Sequence, residues 1–306
     1  MRKADPGLDD ATVAFLRSNL TPESVIESAR HQFKKAGDDE SFVSILSKEL
    51  YGALKAHASA EEWAAITRAF TTWTPAKCPL EVWTGLIDSV ERLPDRPSAL
   101  GVAQVLARFA KDQVRPKAIL SFNAEPLLLA LTEAFLARDH QCQERIFLPT
   151  AESTALQTAH GIPYYFCHGR LPPLRDFSIT KIRAISGVEK LVFSESEYLL
   201  LANSVFSWQA ATFLSHCMRH TAVFLGLSFT DPNLRRWLAW AHKNRVSELA
   251  AKGINDDSTT HFWINRDPGT ERVRSWVENS VAHLGVRLIW IKDWSVVAQT
   301  LTSMLE

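Results

Sequence analysis

Apolar positions recur every three to four residues from residue 22 to residue 113, the spacing of one buried helix face, and after residue 117 that rhythm gives way to short apolar runs. The first pattern predicts helices over Pro22–Lys35, Ser41–Ala56, Ala60–Trp73, Leu80–Leu93 and Ser98–Gln113. Two of them announce their own starts, since Thr21-Pro22-Glu23-Ser24 and Ser59-Ala60-Glu61-Glu62 set a short acceptor before an acidic first turn. The second pattern predicts strands over Lys117–Phe122, Arg145–Leu148, Tyr164–His168, Thr221–Leu225, His261–Ile264 and Val286–Lys292. Helices are expected over Pro126–Ala137, Ser196–Arg219, Pro232–Ala251, Glu271–Leu284 and Ser295–Leu305. Runs with no polar alternation suit parallel strands covered on both faces. The expected fold is therefore α/β, a parallel sheet flanked by helices over residues 116–306, preceded by an all-helical portion over residues 1–115.

Composition narrows the function classes. The 306 residues are 46% hydrophobic, enough for a sizeable core, and no apolar run is long enough to span a membrane. Lys and Arg total 34, as do Asp and Glu, so no global field favours nucleic acid or an acidic membrane surface. Leu234-Arg235-Arg236-Trp237 and Lys181–Arg183 read as solvated surface. The start Met1-Arg2-Lys3-Ala4-Asp5-Pro6 has no apolar stretch behind its basic pair, which predicts a cytoplasmic protein without a secretory signal. Cys78, Cys142, Cys167 and Cys217 form no Cys-x-x-Cys pair, so no zinc module is expected and buried thiols are. His216 and His220 lie four apart at a helix end, which suits capping better than metal binding. Trp237 and Trp240 read as core, while Trp63, Trp73 and Trp83 suit either core or an interface.

The segment Thr221–Asn233, T-A-V-F-L-G-L-S-F-T-D-P-N, runs from a buried strand through a Gly-x-Ser loop into a helix opened by Asp231-Pro232. In parallel α/β sheets such strand ends open onto the ligand crevice. The segment resembles the F-L-G-x-S-x-x-D-P-N signature of sirtuin-like domains, the sirtuin-related NAD-consuming proteins of bacterial antiviral defence systems. Three more resemblances follow the family's order. Ala118–Glu125, A-I-L-S-F-N-A-E, is similar to its T-T-N-Y-D strand; Tyr164–Arg170, Y-Y-F-C-H-G-R, to its His-Gly strand; and His261–Arg266, H-F-W-I-N-R, to its late Asn-bearing strand.

The resemblance implies a Rossmann-like sheet and cleavage of NAD to nicotinamide and ADP-ribose, by depletion of NAD in anti-phage defence. It places Asn123 and His168 as the catalytic pair. It places Ser121, Gly169, Gly226, Ser228, Asp231 and Asn265 as NAD-binding residues, with Ser228 and Asp231 near ribose and Asn265 near adenosine. NAD is then substrate rather than retained cofactor, and the expected partner is a second copy of the chain or a defence-system protein. Three departures support an alternative, a non-catalytic NAD- or ADP-ribose-binding subunit. Ser121 and Phe122 replace two threonines, Ala124-Glu125 replaces Tyr-Asp, and nothing near Met1–Leu20 matches the family's glycine-rich first loop. Absent the resemblance, Asn123 reads as a turn residue and His168 as a core histidine.

Overall fold

The computed structural model describes residues 7, 9–36, 39–72, 78–111, 115–142, 144–151, 161–173, 191–192, 196–197 and 207–306. The chain forms two compact units, Met1–Asn203 and Ser204–Glu306.

The first unit begins with α1 (Asp10–Asn19), which the apolar pattern does not predict; Asp9 caps it by accepting the Thr12 N–H at 2.7 Å. Then come α2 (Pro22–Lys35), α3 (Asp39–Ala56), α4 (Ala60–Thr72), α5 (Leu80–Glu91) and α6 (Ser98–Phe109). The α2 cap forms as its sequence dictates, with Thr21 accepting the Ser24 N–H at 3.2 Å. At α4 the cap is reciprocal: Ser59 Oγ accepts the Glu62 N–H at 3.1 Å and Glu62 accepts the Ser59 N–H at 2.7 Å. Three parallel strands follow, β1 (Ile119–Ser121), β2 (Phe147–Thr150) and β3 (Ile162–Phe166), in the order β1-β3-β2, with α7 (Leu127–His140) between β1 and β2.

Helix α7 explains why the change of pattern near residue 115 falls inside this unit. Every residue from Leu129 to Leu136 is buried, as expected of a helix covered on all sides. One core cluster joins Tyr51 and Leu54 of α3, Ile66 and Phe70 of α4, Trp83 and Leu86 of α5, α7, and Phe147 and Tyr164 of the sheet. Trp63 and Trp83 are thus core residues, and Trp73 lies outside the described residues.

The second unit contains α8 (Trp208–Arg219), β4 (Val223–Leu225), α9 (Pro232–Ala251), β5 (His261–Arg266), α10 (Glu271–Ala282), β6 (Val286–Ile291), a 3-10 turn (Trp294–Val296) and α11 (Val297–Leu305). Its three strands are parallel in the order β4-β5-β6. Residues predicted as helix ahead of α8, and the Lys181–Arg183 cluster, lie largely or wholly outside the described residues. On α9 the buried line runs through Leu234, Trp237, Leu238 and Ala241, so Trp240 falls off it and is half exposed, not core. His220 ends α8, its backbone N–H donating to His216 O at 2.9 Å.

Parallel sheets flanked by helices, with a helical region before them, make this an α/β fold of Rossmann-like kind. Among the described residues no helix is long and apolar enough to cross a membrane. All four cysteines are free and buried, and burial pushes the Cys167 and Cys217 thiols up to about 12.

Candidate functional site

In the first unit, the pairing of Ser121 with Phe166 fixes what emerges at the carboxyl edge of the sheet. Two residues beyond each partner stand Asn123 and His168, at the ends of neighbouring parallel strands. The ladder continues through the Cys167 N–H, which donates to Ser121 O at 2.8 Å. Gly169 takes a φ of 75°, left-handed backbone that suits glycine, and sends its N–H back to Phe166 O at 3.1 Å. Leu171 N–H then closes on Ala124 O at 2.8 Å, tying the two strand ends together.

His168 is buried, with its ring edge-on to Phe122 at 5.2 Å. Burial pushes it down to about 4, opposed by a hydrogen bond to the Phe122 backbone, so the imidazole is neutral at physiological pH. Asn123 is exposed, and its backbone is fixed by Ser121, whose Oγ accepts the Asn123 N–H at 3.3 Å and donates to Asn123 O at 3.1 Å. The Asn123 side-chain amide donates to Glu125 Oε1 at 3.3 Å.

Glu125, itself only partly buried, opens a polar group that the sequence reading missed. Burial pushes its carboxyl up to about 7, against its own backbone N–H and the Asn123 amide. Its charge reaches Tyr51 and Tyr164, raising both phenols further above the ordinary range than burial alone does. Tyr51 donates to Leu171 O at 2.6 Å, and the buried Arg170 offsets part of the upward shift at Tyr51. Tyr51 comes from α3, far away in sequence, which is why no local motif exposes the group. The adjacency of Cys167 and His168 suggests a thiolate nucleophile, but a fully buried thiol at about 12 supplies no thiolate near neutral pH.

In the second unit, Leu225 of β4 pairs with Ile264 of β5, so Gly226 follows the end of β4 beside Asn265, which is still in β5 and pairs with Trp290 of β6. Gly226 has a φ of 66° with open space where a Cβ would point; the turn, not crowding, requires glycine. The loop continues through Phe229 at a φ of 55°, rare for a bulky residue. Its ring holds it there, packed on Phe224 at 5.1 Å and Trp263 at 4.6 Å. On either side, Ser228 and Thr230 bring their hydroxyls within 2.6 Å of each other. Asp231 caps α9 by accepting the Asn233 N–H at 2.8 Å, and Asn265 Oδ1 accepts the Arg266 N–H at 2.8 Å.

The predicted residues therefore fall into two sets. Ser121, Asn123, His168 and Gly169 lie at neighbouring strand ends of the first unit, and Gly226, Ser228, Asp231 and Asn265 at or beyond neighbouring strand ends of the second. Among the described residues no cluster of His, Cys, Asp or Glu is placed to hold a metal ion. The first set combines a neutral imidazole that can accept a proton with an exposed amide that can orient a hydroxyl.

Residues 130–284, just over half of the chain, match the family model of the SIR2-like domain. The matched stretch contains His168, Gly226, Ser228, Asp231 and Asn265; Ser121 and Asn123 precede it. No curated protein matches the chain.

Proposed function

The chain belongs to the SIR2-like domain family, and from that premise we propose that it binds NAD and hydrolyses it to nicotinamide and ADP-ribose. SIR2-like domains bind NAD. In the proposed reaction the bond between nicotinamide and ribose C1′ breaks with both electrons going to the nicotinamide nitrogen. Water then adds at C1′ and gives up one proton. Charge spreads over the ribose ring at the transition state, so oriented polar groups serve better than a strong nucleophile.

The single observation that carries this reading is the emergence of Asn123 and His168 from adjacent ends of β1 and β3. Neutral His168 accepts the proton of a ribose hydroxyl or of the attacking water, and the Asn123 amide orients that group. Ser121 and Gly169 shape the same strand ends. Ser228 and Asp231 are assigned to the ribose hydroxyls, from the Gly226 turn, and Asn265 to the adenosine half. The biological role we assign is NAD depletion in anti-phage defence, by a cytoplasmic protein acting as a homo-oligomer or beside a defence-system partner.

A second reading, a subunit that binds NAD or ADP-ribose without cleaving it, is favoured by the burial of His168, at 7% exposure. NAD consumption by the purified chain, with nicotinamide and ADP-ribose resolved by chromatography, separates the two. Hydrolysis predicts turnover in the parent and a loss of about 10²–10⁴-fold in His168→Ala and Asn123→Ala. The binding reading predicts calorimetric NAD binding without products. Parental turnover in both variants would remove the pair from the mechanism.

A further inference from the structure

Asn123 is exposed, yet one end of its side chain is held: Nδ2 donates to Glu125 Oε1 at 3.3 Å. The two ends of a carboxamide have opposite hydrogen-bonding character, and an ionised carboxylate only accepts. A charged Glu125 therefore selects the NH2 end and leaves Oδ1 for a ligand. A protonated Glu125 has an O–H to donate, and it fits the amide equally well when the amide is turned over.

The surroundings put this choice near neutrality. Burial pushes Glu125 up to about 7, with its own backbone N–H and the Asn123 amide opposing. Facing it are Tyr51 from α3 and Tyr164 from β3, phenols that stay protonated, with Arg170 acting on Tyr51. Tyr51 commits its proton to Leu171 O at 2.6 Å. The backbone around Glu125 is fixed as well, by the Leu171 N–H on Ala124 O at 2.8 Å and by Pro126 at the start of α7.

We propose that Glu125 is a positioning residue for Asn123: ionised, it fixes the amide with Oδ1 toward the ligand, and protonated, it lets the amide turn over. The consequence for catalysis rests on the reading of Asn123 as a reacting residue, whereas the coupling is a property of the free protein. Turnover should rise with pH as Glu125 ionises. Because the Asn123 contact favours the ionised form, removing that amide should raise the Glu125 carboxyl further.

The test follows the Asn123 side-chain 15N–1H2 resonances of the full chain from about pH 5 to about pH 8, a window around the titration of a raised carboxyl. They are assigned by their loss in Asn123→Ala. The expected result is one titration with a midpoint near 7 that vanishes in the isosteric Glu125→Gln and moves to lower pH in Glu125→Asp. NAD consumption should rise through the same midpoint in the parent and be flat in Glu125→Gln. Asn123 resonances that do not titrate, or that titrate identically in Glu125→Gln, overturn the proposal. An amide that titrates as expected in a chain that neither binds nor cleaves NAD leaves the coupling standing and sinks the NAD reading instead.

Discussion

The carboxyl edges of the two parallel sheets carry polar side chains at corresponding strand positions, and they use them differently. At the β4–β5 edge, Asp231 and Asn265 satisfy backbone N–H groups of their own chain segments, and Ser228 accepts the Thr230 N–H at 3.3 Å. At the β1–β3 edge, Asn123 answers to a side chain, Glu125, whose proton affinity burial has moved to near neutrality. The first arrangement holds a loop in shape; the second holds groups whose protonation can change. A perturbed histidine is no guide by itself, since burial pushes both His168 and His261 down to about 4. His261 sits at the amino end of β5, where its Nδ1 accepts the Ala222 N–H at 3.1 Å, a structural role. Strand end, not pKa, separates them.

The sharpest way to break this distinction is to remove each histidine. His168→Ala should lower NAD turnover about 10²–10⁴-fold. His261→Ala should leave turnover per folded molecule unchanged and cost about 1–3 kcal/mol of stability, because the partly buried Ala222 N–H loses its acceptor. Turnover and urea midpoints measured side by side decide it, and an equal loss of turnover in both would end the contrast between edges.

Two glycines sharpen it next. At Gly285 an added Cβ would lie 2.6 Å from His242 Nδ1, on backbone with a φ of 72°, while at Gly226 only the φ of 66° opposes a side chain. Either alanine costs about 1–2 kcal/mol for the left-handed backbone, and the clash adds to this at Gly285. Denaturation midpoints should therefore rank Gly285→Ala as the worse. NAD affinity per folded molecule should rank the other way, because Gly226 stands at the proposed binding edge.

Much of the fold is readable from local pattern, because its elements start on local chemistry. Thr21-Pro22 and Asp231-Pro232 each combine a side-chain acceptor with a pre-set first-turn φ, and α2 and α9 begin where those pairs predict. All six strands show as apolar runs. Helix α1 does not, since its large apolar residue Phe15 is 64% exposed and lies on no periodic buried face. The candidate site was readable only at its strand ends. Glu125 shows in the sequence as a departure from a motif, but its raised carboxyl depends on burial in the folded chain, and its charge is felt by Tyr51 of α3, which no short window contains. Phe229 is likewise invisible, because its left-handed backbone depends on rings from β4 and β5.

Stability against pH offers a gentler test of the same contrast. Glu133 of α7 is buried, accepts the Phe147 N–H at 3.2 Å, and is pushed up to about 8 mainly by burial. Folded, it keeps its proton to a higher pH than it does unfolded, so its contribution is full below the ordinary carboxylate range and is lost as pH rises through about 8. His168 and His261 act in the opposite sense: neutral when folded, they cost stability as pH falls from the ordinary imidazole value toward about 4. Glu133→Gln should flatten the alkaline loss by about 1–2 kcal/mol and leave the acid limb intact. Urea midpoints at about pH 6 and about pH 9 measure it. An unchanged alkaline limb would mean that Glu133 does not govern it.

The smallest effect belongs to the loop hydroxyls, and it bears most directly on what the β4–β5 edge contributes. Ser228 Oγ lies 2.6 Å from Thr230 Oγ1 and accepts the Thr230 N–H at 3.3 Å on an exposed loop held by Phe229, so Ser228→Ala removes two exposed hydrogen bonds and leaves the packing untouched. Stability should fall by about 0.5–1 kcal/mol. If the hydroxyl serves ribose in ground state and transition state alike, KM should rise a few-fold and kcat stay constant, the signature of uniform binding. A fall in kcat comparable to that of His168→Ala would mean that this hydroxyl is used in the transition state. The division between an edge that binds and an edge that moves protons would then have to be given up.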